Sequence, residues 1–170
     1  MKNQLSLLVV VSCIIHSIFW SSKAYTQNNF RVMFYNVENL FDTKHDSLKN
    51  DHDFLQGGFM NWTNWKYWEK QRNIGRVITA VGQMHSPALV GLCEVENDSV
   101  IFDLTKRSPI RTQGYEYIIT NSPDLRGVDV ALLYQPHQFK LIEKNEYELV
   151  RDDKNARPTR NLLHAVGEVI

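Results

Sequence analysis

The run Ala88-Leu-Val-Gly-Leu-Cys93 is continuously apolar and stops at Glu94. A short run of this kind is typical of a strand that is buried on both faces. A second run, Val32-Met-Phe-Tyr35, is rich in aromatic and β-branched residues and stops in the same way at Asn36. The two runs predict two strands that each give way to a polar residue.

Between these runs the hydrophobic period changes to that of a helix. From about residue 64, one predicted helical face carries Tyr67, Ile74, Val77, Ile78, Val81 and Met84. Ser86-Pro87 ends this helix. After the second strand, Asn97 or Asp98 is expected to cap a short helix that runs through Lys106.

The rest of the chain consists of a polar loop and strand-like runs. Residues 42–58 are polar, and we expect them to form a long loop that is functional or mobile. Strand-like runs follow at residues 115–120, 128–134, 139–142 and 162–170. This order predicts an α/β (α+β) sandwich layer rather than a doubly wound parallel sheet. The last run ends on apolar Ile170 with no turn behind it, so we expect a truncated domain.

The composition excludes several classes of protein. Of the 170 residues, 43% are hydrophobic and 22% are charged, which rules out a disordered or collagen-like chain and allows one domain with a core. Lys+Arg and Asp+Glu each number 19, so no overall basic field indicates a nucleic-acid partner. An anionic substrate would need a local cluster of cations or a bound metal.

Residues 1–24 have the features of a secretory signal peptide. Lys2 precedes an apolar run that extends to Trp20, and Ser22-Lys23-Ala24 places small residues at the cleavage position. The run is short for a bilayer span, so we expect cleavage near Ala24, no membrane span afterwards, and a secreted or periplasmic protein. The remaining residues, 25–170, then lack Lys2 and Lys23 and carry 17 basic and 19 acidic groups. They also retain a single cysteine, Cys93, which has no partner for an intramolecular disulfide.

Glu94 and Asn36 are the candidate chemical groups, because each follows a predicted strand. Strand ends are where side chains converge on one cleft of a sheet enzyme. A carboxylate there suits Mg²⁺, which takes one or two protein carboxylates together with waters and substrate phosphate. The alternative is that both residues merely cap turns, and residue type and spacing alone favour that alternative.

Three ordered motifs change this balance. They are Phe34-Tyr-Asn36-Val-Glu-Asn-Leu-Phe41, Gly91-Leu-Cys-Glu94-Val-Glu-Asn97 and Arg126-Gly-Val-Asp-Val-Ala-Leu-Leu-Tyr134. Together they resemble the N-terminal half of the endonuclease/exonuclease/phosphatase superfamily, most closely its secreted bacterial, DNase I-like branch. The resemblance covers about residues 30–170.

The resemblance implies a four-layer αββα sandwich that hydrolyses phosphoester bonds with Mg²⁺ or Mn²⁺. Glu94 matches the metal-binding glutamate of this family, and Asn36 matches its active-site asparagine. Arg160 resembles an arginine that contacts the substrate phosphate. Arg126 and Asp129 are expected near the same cleft. For Arg160 and Arg126, the alternative is that they are solvated loop residues.

The resemblance also implies residues that this sequence does not contain. The family has a later His, a Gly-Asp-x-Asn segment and a Ser-Asp-His, which activate the water and stabilise the leaving group. The favoured function is a secreted DNase I-like endonuclease that acts on nucleic acid, with no stable protein partner. The alternatives are a phosphomonoesterase, a lipid-headgroup phosphodiesterase, or a catalytically inactive truncated fragment.

A second candidate metal site lies in the long loop. His45 and His52 are close in sequence to Asp46, Asp51 and Asp53. These residues could bind a metal, but a solvated loop is the favoured interpretation.

Overall fold

Four strands form a mixed sheet in the order β1-β2-β4-β3. They are β1 (Val32–Leu40), β2 (Leu89–Val95), β3 (Glu116–Ile119) and β4 (Asp129–Tyr134). β1 runs parallel to β2, whereas β4 is antiparallel to both β2 and β3. This computed structural model describes residues 30–149 and 157–170, so the expected signal peptide at residues 1–24 lies outside the described residues.

Helix α1 (Asn64–Gly82) packs its apolar face on this sheet. Its N-terminus is capped by Thr63, whose hydroxyl accepts a hydrogen bond of 3.4 Å from the Lys66 amide. The buried stripe consists of Tyr67, Gln71, Ile74, Gly75, Ile78 and Gly82.

The predicted face of α1 was therefore partly wrong, because Val77, Val81 and Met84 are exposed. Val77 and Val81 each precede a member of the buried stripe by one residue, which turns them about 100° away from it. Polar Gln71 takes a place in the stripe instead, because its Nε2 donates 2.9 Å and 3.0 Å hydrogen bonds to Val100 O and Tyr67 Oη.

A second helical segment covers the same side of the sheet. Helix α2 (Asp98–Phe102) begins after Asn97, whose Oδ1 accepts a 3.2 Å hydrogen bond from the Val100 amide, as the sequence predicts. The chain continues through a wider π turn at Asp103–Arg107 and a 3₁₀ turn at Pro109–Gln113. Within residues 30–149 and 157–170, no helix combines the length and apolar character that a bilayer crossing requires.

The opposite side of the sheet carries a two-stranded layer and an open apolar patch. Strands β5 (Phe139–Tyr147) and β6 (Leu162–Val169) pair as an antiparallel hairpin. Phe139 packs edge-on against Tyr134 of β4 at 6.1 Å between ring centroids. Phe34 remains 72% exposed on this side. Helices, sheet and hairpin thus form an α/β layer arrangement, consistent with part of an αββα sandwich.

The prediction that the 88–93 run is buried on both faces was wrong for one face. Val90, Leu92 and Val95 are fully buried against the helices, whereas Leu89, Gly91 and Cys93 on the other face are only half-buried. The hairpin covers that second face incompletely, so the continuous apolar run does not correspond to complete burial.

The polar loop after β1 is ordered by aromatic packing and holds one 3₁₀ turn, His52–Phe54. Phe41 and Phe54 stack with ring centroids 4.2 Å apart, and Trp62 Nε1 donates a 2.9 Å hydrogen bond to Phe41 O. The loop also contacts the segment before β4, since the Asn50 amide donates to Leu125 O at 2.8 Å. The apolar residues at the ends of this polar stretch thus fix its path across the edge of the sheet.

Candidate metal and phosphate site

Glu94 lies on a bulge at the end of β2. β1 pairs Asn36 with Cys93 and Leu40 with Val95, so that three β1 residues face Glu94 alone. On its other side β2 pairs Cys93 with Val130 and Val95 with Asp129, which leaves Glu94 as an extra residue. A bulge of this kind bends the strand and redirects a side chain.

The backbone at this bulge is strained in both strands. Glu94 has φ 65°, and Glu38 and Asn39, on the opposing part of β1, have φ 54° and 63°. Non-glycine residues seldom adopt positive φ, and such conformations persist only where the surrounding structure holds them. The strain therefore concentrates at the residue for which the sequence predicts metal binding.

The Glu94 carboxylate faces Arg160, the residue two positions before β6. Glu94 Oε1 lies 3.8 Å from Arg160 Nη1, and both side chains are mostly covered. This Nη1 is buried, and within the described residues it donates no hydrogen bond. A buried guanidinium nitrogen without an acceptor is costly, so this nitrogen is suited to donate to an additional oxygen beside Glu94.

Asn36 lies on the neighbouring strand, beside the residue that precedes Glu94. Its Oδ1 accepts a 2.8 Å hydrogen bond from the Glu38 amide, which fixes the side-chain amide next to the bulge. Asn36 is exposed, so this amide is accessible to a ligand. The structure thus brings Asn36, Glu94 and Arg160 to one edge of the sheet.

Arg126 is held by a buried carboxylate close to this edge. Its Nε and Nη2 donate hydrogen bonds of 3.0 Å and 2.6 Å to the two oxygens of Asp124. Burial alone would raise the pKa of Asp124, but the hydrogen bonds and positive charges of Arg126, with Arg160, lower it. Hydrogen bonding to Asp124 in turn raises the pKa of Arg126, to which the charge of Glu94 also contributes. Arg126 therefore remains largely exposed to solvent, but Asp124 fixes the position of its guanidinium group.

A groove adjoins Arg126. It has a volume of ≈ 430 Å³ and is lined by Asn50, Asp124, Leu125, Arg126, Arg157 and Pro158. The two arginines and the nearby Arg160 give this region a local positive charge that the overall composition does not show.

Asp129, expected near the cleft, lies opposite Val95 beside the bulge, and its side chain is buried. Its Oδ1 accepts hydrogen bonds from Thr120 Oγ1 at 2.6 Å, from the Ser122 amide at 2.8 Å and from Ser122 Oγ at 2.5 Å. Ser122 Oγ also accepts a 2.9 Å hydrogen bond from the amide of Asn161. Asp129 thus supports the residue that follows Arg160 and does not itself face a ligand.

Lys70 is a neighbour of the site that the sequence analysis missed. Its Nζ donates a hydrogen bond to Glu38 O in the bulged part of β1 and lies 5.6 Å from the centroid of the Trp62 ring. Burial lowers the pKa of Lys70, and the charges of Glu38 and Glu94 oppose this shift. The helical pattern placed position 70 outside the apolar face, and no sequence signal indicated that its side chain reaches the bulge.

Cys93 does not have the surroundings of a catalytic thiolate. Burial raises the pKa of its thiol, the charge of Arg160 lowers it, and the charge of Glu94 raises it again. A thiol with a raised pKa is a poor nucleophile at neutral pH, so Cys93 serves as a half-buried apolar side chain.

Glu96 has the most perturbed carboxylate in this part of the molecule. Its Oε2 accepts a 2.6 Å hydrogen bond from the Asp42 amide, and the side chain is buried. Burial raises the pKa of Glu96 to about 8; the Asp42 hydrogen bond opposes this shift, and the charges of Asp42, Asp51 and Asp46 add to it.

This carboxyl group should make folding stability depend on pH. The folded state binds the proton more tightly than the unfolded chain, whose pKa is 4.5. The stability that the protonated Glu96 contributes to the fold is therefore fully present below pH 4.5 and is lost as the pH rises through about 8. We expect Glu96→Gln, which keeps the acceptor without the charge, to reduce this loss by on the order of 2 kcal/mol. Urea denaturation across this pH range measures the effect, and identical pH profiles for wild type and variant would rule it out.

The residues at the bulge fit a hard divalent cation. Glu94 offers a carboxylate and Asn36 an amide oxygen, and oxygen donors are those that Mg²⁺ and Mn²⁺ prefer. The unpartnered Nη1 of Arg160 lies where it can donate to an anionic oxygen beside such a cation. The oxygen atoms of Glu94 and Asn36 are therefore suited to a metal ion. The Arg160 nitrogen, which has no acceptor among the described residues, is suited to a phosphate bound beside that ion.

Comparison with known proteins places the chain in a described family. The model of the Endonuclease/Exonuclease/phosphatase family matches residues 31–170. Two solved structures from Bacteroides thetaiotaomicron resemble the chain, an endonuclease/exonuclease/phosphatase family protein and a mannosyl-6-phosphatase. Each is 20% identical, with a TM-score of 0.39, over 69% of this chain. The chain spans 33% and 35% of their respective lengths. No curated protein matches the sequence.

Proposed function

Because the chain belongs to the endonuclease/exonuclease/phosphatase family, we propose that it carries part of the active site of a phosphoester hydrolase that uses Mg²⁺ or Mn²⁺. The observation that supports this proposal most directly is the strained bulge that turns Glu94 toward the unpartnered guanidinium nitrogen of Arg160. At 3.8 Å the two groups do not form a strong hydrogen bond with each other. Each can therefore take a further partner beside this contact, a cation on Glu94 and a phosphate oxygen on Arg160.

Each residue then has a defined role in the proposed reaction. Glu94 would hold the divalent cation, which would polarise a phosphoryl oxygen and offset the charge that develops on it. Arg160 would donate to a non-bridging oxygen of the phosphate and orient it. Asn36 would position the reacting groups through an amide that carries no charge and does not repel the anion. Water would attack the phosphorus while the bond to the leaving oxygen breaks, and its proton would pass to a base that the described residues do not identify.

For the substrate we propose a phosphodiester, with nucleic acid as the favoured class. Arg126 is fixed by Asp124, and Arg157 lines the same groove next to the proposed phosphate position. These two guanidinium groups, in addition to that of Arg160, suit a substrate that presents another phosphate beside the one that is cleaved. The signal-like residues 1–24 support a secreted or periplasmic location for this reaction.

The substrate class is tested by comparing plasmid DNA with small phosphate esters, using the full-length gene product. We expect metal-dependent DNA cleavage in which Arg157→Ala lowers kcat/KM about tenfold at low salt and leaves a small phosphodiester unaffected. Arg76→Ala, which removes an exposed arginine on α1, is the matched control. Hydrolysis of small phosphomonoesters with DNA left intact would instead support a phosphomonoesterase and contradict the nuclease.

A further inference from the structure

The loop after β1 brings together three side chains that bind metals in other proteins. His45, Asp51 and His52 each offer one ligand atom, and these three atoms lie within 4.8 Å of one another. The rings of His45 and His52 are 4.6 Å apart between centroids. This cluster lies on the loop, apart from the bulge that carries Glu94.

The central residue of this cluster, Asp51, is buried and held in place by its neighbours. Its side chain is only 1% exposed. One oxygen lies 2.6 Å from His45 Nδ1, and the other accepts a 2.7 Å hydrogen bond from the Asp46 amide. The interpretation of residues 45–53 as solvated was therefore wrong for its central carboxylate, which is fixed within the protein.

We propose that His45, Asp51 and His52 bind a divalent transition-metal ion of the zinc class. Two imidazoles and one carboxylate form a donor set that favours Zn²⁺ over Mg²⁺, because imidazole is a softer ligand than oxygen. Tetrahedral Zn²⁺ with bonds of about 2.0–2.1 Å holds its ligands about 3.4 Å apart. Both histidines are exposed and can rotate to this spacing while Asp51 stays in place. His45 Nδ1 now lies 2.6 Å from Asp51 and would move away from it, because the ion would replace their hydrogen bond.

The local charge supports a cation at this position. Asp42, Asp46 and Asp51 lie close enough to Glu96 for their charges to act on it. A cation bound between His45, Asp51 and His52 would be attracted by this group of carboxylates.

The bound ion would fasten the loop to the segment next to Arg126. Lys49 and Asn50 lie within the stretch that the ligands enclose. Lys49 Nζ donates hydrogen bonds to Ser122 O at 2.9 Å and Asp124 O at 3.1 Å, and the Asn50 amide donates to Leu125 O at 2.8 Å. A metal that joins residues 45, 51 and 52 therefore restrains the same segment that holds Asp124 and Arg126.

The test is a titration of untagged full-chain protein with Zn²⁺ against a chromophoric competitor. It is made in the Glu94→Gln background, so that the result is independent of the proposed hydrolase site. We expect one equivalent of Zn²⁺ to bind, at least about tenfold more weakly in His45→Ala and in His52→Ala. His85→Ala, which removes an exposed histidine outside the cluster, should bind as the parent does.

Two further readouts make the outcome decisive. Co²⁺ should give the visible absorption of a tetrahedral nitrogen and oxygen site in the parent protein and not in His52→Ala. Zn²⁺ should also slow hydrogen exchange at the Asn50 amide. Unchanged Zn²⁺ affinity in both cluster variants would overturn the proposal, as would equal competition by Mg²⁺ or the absence of stoichiometric binding.

Discussion

Glu94→Gln should reduce kcat/KM for phosphoester hydrolysis by about 10³-fold, with little change in stability. The variant keeps the size of the side chain but removes the negative charge that would hold the cation. The side chain is partly accessible, and its contact with Arg160, at 3.8 Å, is too long for a strong hydrogen bond. Its replacement therefore has little effect on packing.

The comparison is made by steady-state kinetics with the full-length gene product at saturating Mg²⁺. Glu116→Gln is the matched control, because this glutamate lies at the far end of the sheet and pairs with Lys106 on the surface. Higher concentrations of Mn²⁺ should partly restore activity if the defect is in metal binding. Activity within threefold of wild type (a difference of roughly 0.7 kcal/mol) would mean that Glu94 is not the metal ligand.

Asp129→Ala should lower the free energy of unfolding by about 3 kcal/mol. The substitution leaves the Thr120 hydroxyl and both donors of Ser122 without their acceptor in a buried position. Each buried donor that loses its partner costs about 1–3 kcal/mol, and local rearrangement recovers part of this. Because Ser122 Oγ also holds the Asn161 amide, the change should displace Arg160 and raise KM.

Asp129→Asn separates the two effects. Its remaining side-chain oxygen accepts some of these hydrogen bonds, so the loss of stability should be smaller than for Asp129→Ala. Urea denaturation gives the free energies, and KM for a small phosphodiester reports the position of Arg160. If Asp129→Ala unfolds at the same urea concentration as wild type, the network is not a structural support.

Features that depend on local sequence were predicted well. The existence of the strands, the start of α1 and the cap at Asn97 follow from neighbouring residues, as the 3.2 Å bond from the Val100 amide to Asn97 illustrates. The strand ends were predicted less well, because β1 continues through Asn36 to Leu40 and β5 extends from the predicted residues 139–142 to Tyr147. The resemblance also selected Asn36 and Glu94, which the structure places on neighbouring strands at one edge of the sheet. Their roles in catalysis stay a prediction.

Features that depend on pairing between distant segments were missed. The positive φ of Glu94 lies where the pairing of β2 shifts register against both β1 and β4. These register shifts depend on strands that are distant in sequence, so no local pattern indicates them. The contact between Glu94 and Arg160 joins residues that are far apart in sequence. The sequence placed Asp129 near the cleft but did not indicate that the alternation along β4 turns its side chain into the interior, where it accepts hydrogen bonds from Thr120 and Ser122.

The predictions for the buried face of α1 and for the polar loop were wrong for different reasons. The periodicity of α1 included Val77 and Val81 because both are apolar, but the sheet contacts a narrower stripe in which Gln71 finds partners. The loop looked solvated because its residues are polar. Its order comes from the Phe41–Phe54 stack at its ends and from a buried Asp51, and neither can be read from polarity alone.

The proposed hydrolase depends on a divalent cation that binds at the bulge formed by Glu94 beside Asn36. Line broadening of backbone amides by Mn²⁺ locates such a cation, and the His52→Ala background removes the proposed zinc-class site from the measurement. We expect the amides of residues 36–38 and 93–95 to broaden first, and Glu94→Gln to abolish this effect. If these amides stay sharp while Mn²⁺ broadens residues elsewhere, the cation does not bind at Glu94 and the proposed role of this residue is wrong.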